Sequence, residues 1–243
     1  MNQTKNGLWN SPLLRSQVTS EDVRPPEMLF GYLIGPFGAL LASGIVTSQL
    51  QNYLTNVLKL DLGFLTTLQL LSTILIVAAN LVVGQLIERT CTLAGKARPW
   101  ILLSALTLSV ASVLMFIVPF ADRTARMVWI AIAYNAYYAV GFPIYNTANS
   151  TLVPVSTRNS KQRSTLASLT NIASLGVMGV GSMIFPTLVS MALKEDQHLW
   201  FVAMLGVASF TALTILLQFR FTRERVTEES AGPEKAEKSS ASL

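Results

Sequence analysis

Residues 28–58 read MLFGYLIGPFGALLASGIVTSQLQNYLTNVL, a run of 31 residues without an Asp, Glu, Lys or Arg. A helix needs roughly 20 apolar residues to cross a bilayer, so this run is long enough to span one with some tilt. Five more charge-free runs follow, at residues 62–87, 99–121, 127–157, 164–193 and 197–219. Together the six runs predict an all-α integral membrane protein with six transmembrane helices.

The composition of the chain agrees with this prediction. Only 13% of the 243 residues are charged and 51% are hydrophobic, whereas soluble proteins carry about 25% charged residues. A soluble enzyme and a nucleic-acid-binding domain are therefore excluded, and contact with anionic membrane lipid explains the net charge of +5. The runs contain no carboxylate, His pair or Ser–His arrangement, so we expect no catalytic residue, and nothing indicates a metal site or an organic cofactor.

The charge-free runs divide the chain into three segments. Residues 1–27 are a polar arm, residues 28–220 are the membrane domain, and residues 221–243 are a tail rich in Glu, Lys and Ser that we expect to be disordered. Within the membrane domain, the spans are predicted near residues 28–54, 65–87, 100–120, 127–152, 165–192 and 198–219.

The basic residues predict the orientation. Fourteen of the 18 Lys and Arg residues lie in the arm, in the second-to-third and fourth-to-fifth loops, and after the sixth span. The other four lie in the first-to-second, third-to-fourth and fifth-to-sixth loops. Since basic residues favour the cytoplasmic side, we expect a multi-pass protein of the cell (inner) membrane with both termini in the cytoplasm.

Polar residues are concentrated in the first, fourth and fifth spans, and polar side chains are costly inside a membrane. We therefore expect these spans to face a shared cavity, and the second, third and sixth spans to contribute mainly to packing. In the first span Gly31, Gly35 and Gly38 lie on neighbouring turns, a spacing that lets another helix approach closely. The alternative is that the polar side chains only join helices, through hydrogen bonds worth about 0.6 kcal/mol each.

Two loops carry the most specific signals. The second-to-third loop contains GQLIERT at 84–90 and GKARPW at 95–100, and the fourth span ends in LVP at 152–154, followed by Arg163 and Leu166. These motifs resemble those of the glycoside–pentoside–hexuronide:cation symporters, a melibiose-permease-like branch of the major facilitator superfamily. Glu88 stands where that family has Asp. The resemblance covers residues 28–220, which corresponds to the N-terminal six-span half of such a transporter.

The charged residues of these loops are predicted to gate the cytoplasmic side, because short charged loops can form ion pairs and cap helix ends. The alternative is that they only set the membrane topology. The candidate gating residues are Glu88, Arg89, Lys96, Arg98, Arg158 and Arg163.

The resemblance implies alternating access, with a sugar or glycoside bound near the bilayer midplane and a coupled Na⁺ or H⁺. The family's paired second-span carboxylates correspond here to Ile76 and Asn80, and its fourth-span acid corresponds to Asn146. A carboxylate proton relay is therefore absent. Bound Na⁺ would need neutral oxygens from Asn, Ser or the backbone, and we expect no sodium coupling of the melibiose-permease kind.

Our main hypothesis is therefore a half-size or truncated secondary transporter for a polar solute. Aromatic rings stack on sugar faces and amides bond hydroxyl groups, so residues of these types are the candidates for solute binding. They are Gln49, Asn80, Tyr137, Asn146, Asn149 and Asn171. The expected partners are membrane lipids, the polar small-molecule solute, and a second six-span half or a second copy of the chain. The alternatives are a non-transporting remnant, an accessory subunit of another transporter, or a lipid transporter.

Overall fold

The computed structural model describes residues 14, 16–92, 94–188, 191 and 196–227. The rest of the predicted arm and tail, including residues 1–13 and 228–243, lies outside these described residues. Within them, six main helices coincide with the six charge-free runs. They are α1 (Glu27–Val57), α2 (Leu62–Arg89), α3 (Arg98–Leu114), α4 (Arg123–Ser156), α5 (Ser160–Gly179) and α6 (Gln197–Arg220).

Four of these helices, α1, α2, α4 and α6, are long and apolar enough to cross a membrane. Helix α3 is apolar but has only 17 residues. Helix α5 continues through a π-helical turn, Val180–Ile184, into a short helix, Phe185–Leu188. An all-helical multi-pass architecture is therefore confirmed, while the six-span topology stays a prediction.

Polar residues at the helix starts explain where several helices begin. The Asp122 carboxylate accepts the backbone N–H of Ala125 at 2.9 Å and caps α4. The side chains of Asn159 and Asp196 cap α5 and α6 in the same way. Such caps satisfy backbone donors that the first turn of a helix leaves unpaired, so a polar residue precedes each of these three apolar helices.

Close packing of α1 on α6 forms the centre of the bundle. A Cβ atom added to Gly31 would lie 2.7 Å from Thr222 Cγ2, and one added to Gly35 would lie 2.6 Å from Gln218 Cβ. Gly38 meets Thr214 in the same manner, and the Thr211 hydroxyl donates to the Gly38 carbonyl at 3.0 Å. The glycine spacing therefore serves the close helix approach that the sequence predicts. Helix α6 also packs along α3, α4 packs on α3, and α5 packs on α1.

Helix α2 does not match the expectation that the second span contributes mainly to packing. Only 17% of the residues in its most apolar 18-residue stretch are buried, against 50% for the corresponding stretch of α1. Its apolar residues surround the whole helix, so Leu70, Ile74 and Leu81 are exposed. A helix that is apolar all round suits a lipid environment or a partner, and its sequence does not mark a core-facing side.

The bundle has two distinct ends. At one end, called here the terminal end, residues 16–27, 90–98, 156–163 and 221–227 meet. At the opposite far end, three aromatic rings from α1, α3 and α6 pack together: Tyr53 and Phe116 centroids are 4.8 Å apart, and Phe116 and Trp200 are stacked at 5.8 Å. The Tyr53 hydroxyl donates to the Phe116 carbonyl at 3.0 Å. This cluster joins α1, α3 and α6 at the end of the bundle away from the termini.

Residues 221–227 differ from the expected disordered tail, because they pack against the terminal end. Thr222, Glu224 and Arg225 are buried there. The prediction rested on the lack of an apolar pattern, whereas hydrogen bonds from charged side chains hold this segment in place.

Candidate functional site

A buried polar network joins α4 to α6 near the terminal end. The Tyr145 hydroxyl donates to Gln218 Oε1 at 3.0 Å, and Gln218 Nε2 donates to Asn149 Oδ1 at 2.8 Å. All three residues are buried. Asn149, a predicted solute-binding residue, is thus engaged with a side chain of α6 that the sequence analysis did not single out.

A second set of hydroxyl groups lies between α1 and α4. Tyr137 is completely buried in a π-helical stretch, Ala136–Gly141, beside Ser43 of α1. Its hydroxyl makes no hydrogen bond of normal geometry with any residue that the structure describes. The neighbouring Tyr138 hydroxyl lies beside Thr47, also on α1. These hydroxyl groups therefore form a polar patch between α1 and α4 inside the bundle.

The six predicted solute-binding residues divide into two groups of three. Gln49, Tyr137 and Asn149 are buried inside the bundle. Asn80, Asn146 and Asn171 are exposed on the outside of α2, α4 and α5. The structure of this chain therefore does not gather all six around one cavity.

Asn80, one of the positions that correspond to the family's carboxylates, is bonded to its own helix. Asn80 Nδ2 donates to the carbonyl of Ile76, one turn earlier in α2, at 2.8 Å. Among the described residues, no cluster of three or more His, Cys, Asp or Glu side chains could hold a metal ion.

At the terminal end, Glu224 caps the start of α3. Its carboxylate accepts the backbone N–H groups of Lys96, Ala97 and Arg98 at 2.7, 2.8 and 2.8 Å. Gly95 makes this contact possible, because its φ is 108° and a Cβ atom there would lie 2.5 Å from Glu224 Cδ. A carboxylate at a helix N-terminus also interacts favourably with the helix dipole.

Arg98 connects the start of α3 to the end of α6. The side chain is buried, and its guanidinium donates to the carbonyls of Ala94 at 3.0 Å and Phe219 at 2.9 Å. It also lies 4.5 Å from the centre of the Phe219 ring, a cation–π geometry. Arg98 therefore holds together the two helices that Glu224 also joins.

The arm is held by a buried ion pair between Glu27 and Arg225. The two side chains form paired contacts of 2.8 and 3.0 Å. The same guanidinium donates to the carbonyls of Ser20, Asp22 and Ser156. A hydrogen bond between Tyr32 and Ser156 adds a direct link between α1 and α4. The ion pair thus joins the arm, α4 and the segment after α6.

The predicted gating residues have different environments. Glu88, Arg89 and Arg158 are exposed, Lys96 is half-buried, and only Arg98 is buried. Arg163 is exposed but donates to the Thr157 carbonyl at 3.0 Å, at the end of α4.

Sequence reasoning missed Glu27, Glu224 and Arg225, which are buried and connect the segments at this end. A signal was present, since Glu27 directly precedes the first charge-free run and Glu224 is the first carboxylate after the last one.

Similarity to known proteins supports the resemblance carried by the two loop motifs. Residues 31–243 match the family model described as MFS/sugar transport protein. The chain is 27% identical over 218 residues to the isoprimeverose transporter of Lactiplantibacillus pentosus, covering 87% of this chain and 44% of that protein. It is 26% identical to the inner membrane symporter YicJ of Escherichia coli (strain K12), and the match covers 81% of this chain and 43% of that protein.

A third relative, YagG of Escherichia coli (strain K12), is named as a candidate glycoside/cation symporter. It is 27% identical over 73% of this chain and 38% of its own length. The chain thus spans less than half the length of each of these relatives.

Proposed function

The chain belongs to the MFS/sugar transport protein family, and on this premise we propose that it forms one six-helix unit of a secondary transporter. The unit works by alternating access and carries a sugar, a glycoside or a similar polar solute. The names of two relatives support this solute class, since one is an isoprimeverose transporter and another a candidate glycoside/cation symporter.

One observation carries the proposal. Asn146 on α4 and Asn171 on α5 are exposed amides within the predicted spans, and an amide facing hydrocarbon is costly. Ser150 lies one turn after Asn146 and is exposed as well. These groups avoid that cost if they face a polar pathway or a partner, and the hydroxyl groups between α1 and α4 extend the polar surface into the bundle.

A second six-helix unit is part of the proposal. Helix α2 exposes an apolar surface, and on α5 Ser164, Ser168 and Asn171 form an exposed polar stripe at helical spacing. Lipid can cover the apolar surface of α2 at no cost, whereas covering the polar stripe of α5 with lipid is unfavourable. We expect a second copy of the chain, or a separate six-helix half, to cover α5 and complete the pathway.

The terminal end is proposed to face the cytoplasm, since fourteen of the 18 basic residues belong to the segments on this side. There the Glu224 cap and the Glu27–Arg225 pair act as the gate-supporting contacts. Any Na⁺ that this unit itself binds within its spans is proposed to be held by neutral oxygens, since the charge-free runs contain no Asp or Glu.

Uptake of labelled isoprimeverose into proteoliposomes tests the proposal. The full chain is reconstituted alone and assayed with and without inward Na⁺ and H⁺ gradients, while light scattering in mild detergent gives the protein mass of the complex. Uptake that saturates and falls in Asn146→Ala, but not in Ser209→Ala, supports the assignment. Ser209 is the matched control, because it is exposed on α6 and its hydroxyl bonds its own helix.

Two results count against the proposal. A lone 26.5 kDa monomer without uptake of any tested sugar excludes a second copy of the chain as the partner, and leaves a separate six-helix half or the accessory or remnant alternative. Movement of labelled phospholipid that sugars do not inhibit favours a lipid transporter.

A further inference from the structure

The far end carries a basic concavity that the proposed transport pathway does not use. It has a volume of about 500 Å³ and lies between the α1–α2 turn and the start of α4. Among the described residues that line it, three are cationic, Lys59, Arg123 and Arg126, and one is a carboxylate, Asp61. A cavity with this excess of positive charge is suited to an anion.

The distribution of basic residues makes this cluster unusual. Only four of the 18 Lys and Arg residues belong to the loops predicted on this side of the membrane, and three of the four line the same concavity. Membrane topology disfavours basic residues on this side, so it does not explain their convergence at one place.

The α1–α2 turn holds Lys59 in a fixed position. Its φ of 54° lies in the left-handed region, which residues with a side chain rarely adopt. The neighbouring Leu58 and Leu60 are buried, and their backbone N–H groups donate to the Tyr53 and Leu54 carbonyls at 3.1 and 3.0 Å. The two buried leucines maintain the turn, and Lys59 between them is exposed at the rim of the concavity.

The two arginines approach from the first turn of α4. Arg126 Nε donates to the Phe120 carbonyl at 2.8 Å, which orients its guanidinium. Arg123 makes no hydrogen bond or ion pair with the described residues and is exposed. The Asp122 carboxylate, beside Arg123 in the sequence, accepts the backbone N–H of Ala125 at the same helix start, and Asp61 is the carboxylate that lines the concavity.

From this arrangement we propose that the concavity binds a phosphate-bearing anion. Arginine donates paired hydrogen bonds to phosphate oxygens, and lysine adds a compact charge. Because the concavity lies at an end of the membrane bundle, the same phosphate chemistry can come from a phospholipid headgroup or from a soluble phosphate compound. The inference is independent of the solute that the transporter carries.

Native mass spectrometry and thermal unfolding of the full chain in a neutral detergent test this proposal. Phosphatidylglycerol is the lipid probe, a neutral diacylglycerol of the same chain length is its control, and inorganic phosphate is the soluble probe. Arg123→Gln is the principal variant, since the Arg123 side chain is exposed and makes no hydrogen bond or ion pair with the described residues. Arg123→Lys restores the charge, and Lys161→Gln removes one exposed charge from the terminal end.

We expect phosphatidylglycerol to bind and raise the unfolding temperature, and Arg123→Gln to weaken its binding about tenfold, as loss of one charge-assisted hydrogen bond does. Arg123→Lys restores part of the affinity, and Lys161→Gln leaves it unchanged. Binding of inorganic phosphate with the same variant dependence identifies a soluble anion as the ligand. Equal losses in Arg123→Gln and Lys161→Gln, or no binding of either phosphate probe, overturn the proposal.

Discussion

The Glu224 carboxylate accepts the backbone N–H of Arg98 at 2.8 Å, across 126 positions of the chain. A residue that follows α6 therefore completes the first turn of α3. Since Lys96 and Ala97 donate to the same carboxylate, the segment after α6 is part of the folded bundle.

Replacing Glu224 with Gln tests the importance of this cap. The variant keeps an acceptor but loses the charge, and hydrogen bonds to charged groups contribute about 1.5–3 kcal/mol. We expect a loss of about 2 kcal/mol, which lowers the unfolding temperature of the purified chain by about 4–8 °C. Glu21→Gln, an exposed acid of the arm, is the control and should change the temperature little. Equal shifts in both variants would contradict a specific cap.

A double-mutant cycle measures the buried pair between Glu27 and Arg225. Either Glu27→Gln or Arg225→Met leaves one partner buried without its counter-charge, a cost of about 3–5 kcal/mol. The double variant should recover part of this loss, because neither charge remains buried. The free energies of unfolding of the unchanged chain, the two single variants and the double variant, measured in the same detergent, give the interaction free energy of the pair. Strictly additive effects would mean that the two side chains do not interact.

The α1–α6 contact is tested by adding a single methyl group. Gly35→Ala places a Cβ atom 2.6 Å from Gln218 Cβ, so the helices must separate, and overpacking of this kind costs about 1–3 kcal/mol. Gly206→Ala is the matched control, because its added Cβ meets no atom within 4 Å and alanine favours a helix. The unfolding temperature should fall only in the first variant. A fall of the same size in both would contradict the close contact.

Two asparagines of α4 should respond differently to truncation. Asn149→Ala leaves Gln218 Nε2 buried without its acceptor, so we expect a stability loss of about 1–3 kcal/mol. Asn146 is exposed, and Asn146→Ala should reduce solute uptake by the reconstituted transporter while leaving the unfolding temperature unchanged. Uptake and unfolding, measured on the same preparations, distinguish the two roles. Unchanged uptake in Asn146→Ala would remove it from the solute site.

The sequence predicted the helices well because a long charge-free run is a local property. Each run contains one main helix, and the glycines at 31, 35 and 38 lie at the close contact between α1 and α6. The loop motifs also predicted the family, which the match over residues 31–243 confirms. These features can be read from neighbouring residues alone.

Contacts between distant side chains could not be predicted in the same way. In the sequence, Gln218 looks like any polar residue near the end of a span. Its hydrogen bonds to Tyr145 and Asn149 depend on which sides of α4 and α6 face each other. Likewise, Arg225 counts only as one more basic residue until the fold places it beside Glu27. The uniform apolar surface of α2 gave no indication of which side is exposed.

The Glu27–Arg225 pair also has a mechanical consequence. Arg225 is bonded to the arm and to the end of α4 as well as to Glu27, so a force applied at residue 227 acts on these bonds before it reaches the end of α6. The bonds therefore resist unfolding of α6 from its C-terminal end. When the chain is pulled from residue 227 in force spectroscopy, rupture of the ion pair should precede unfolding of α6.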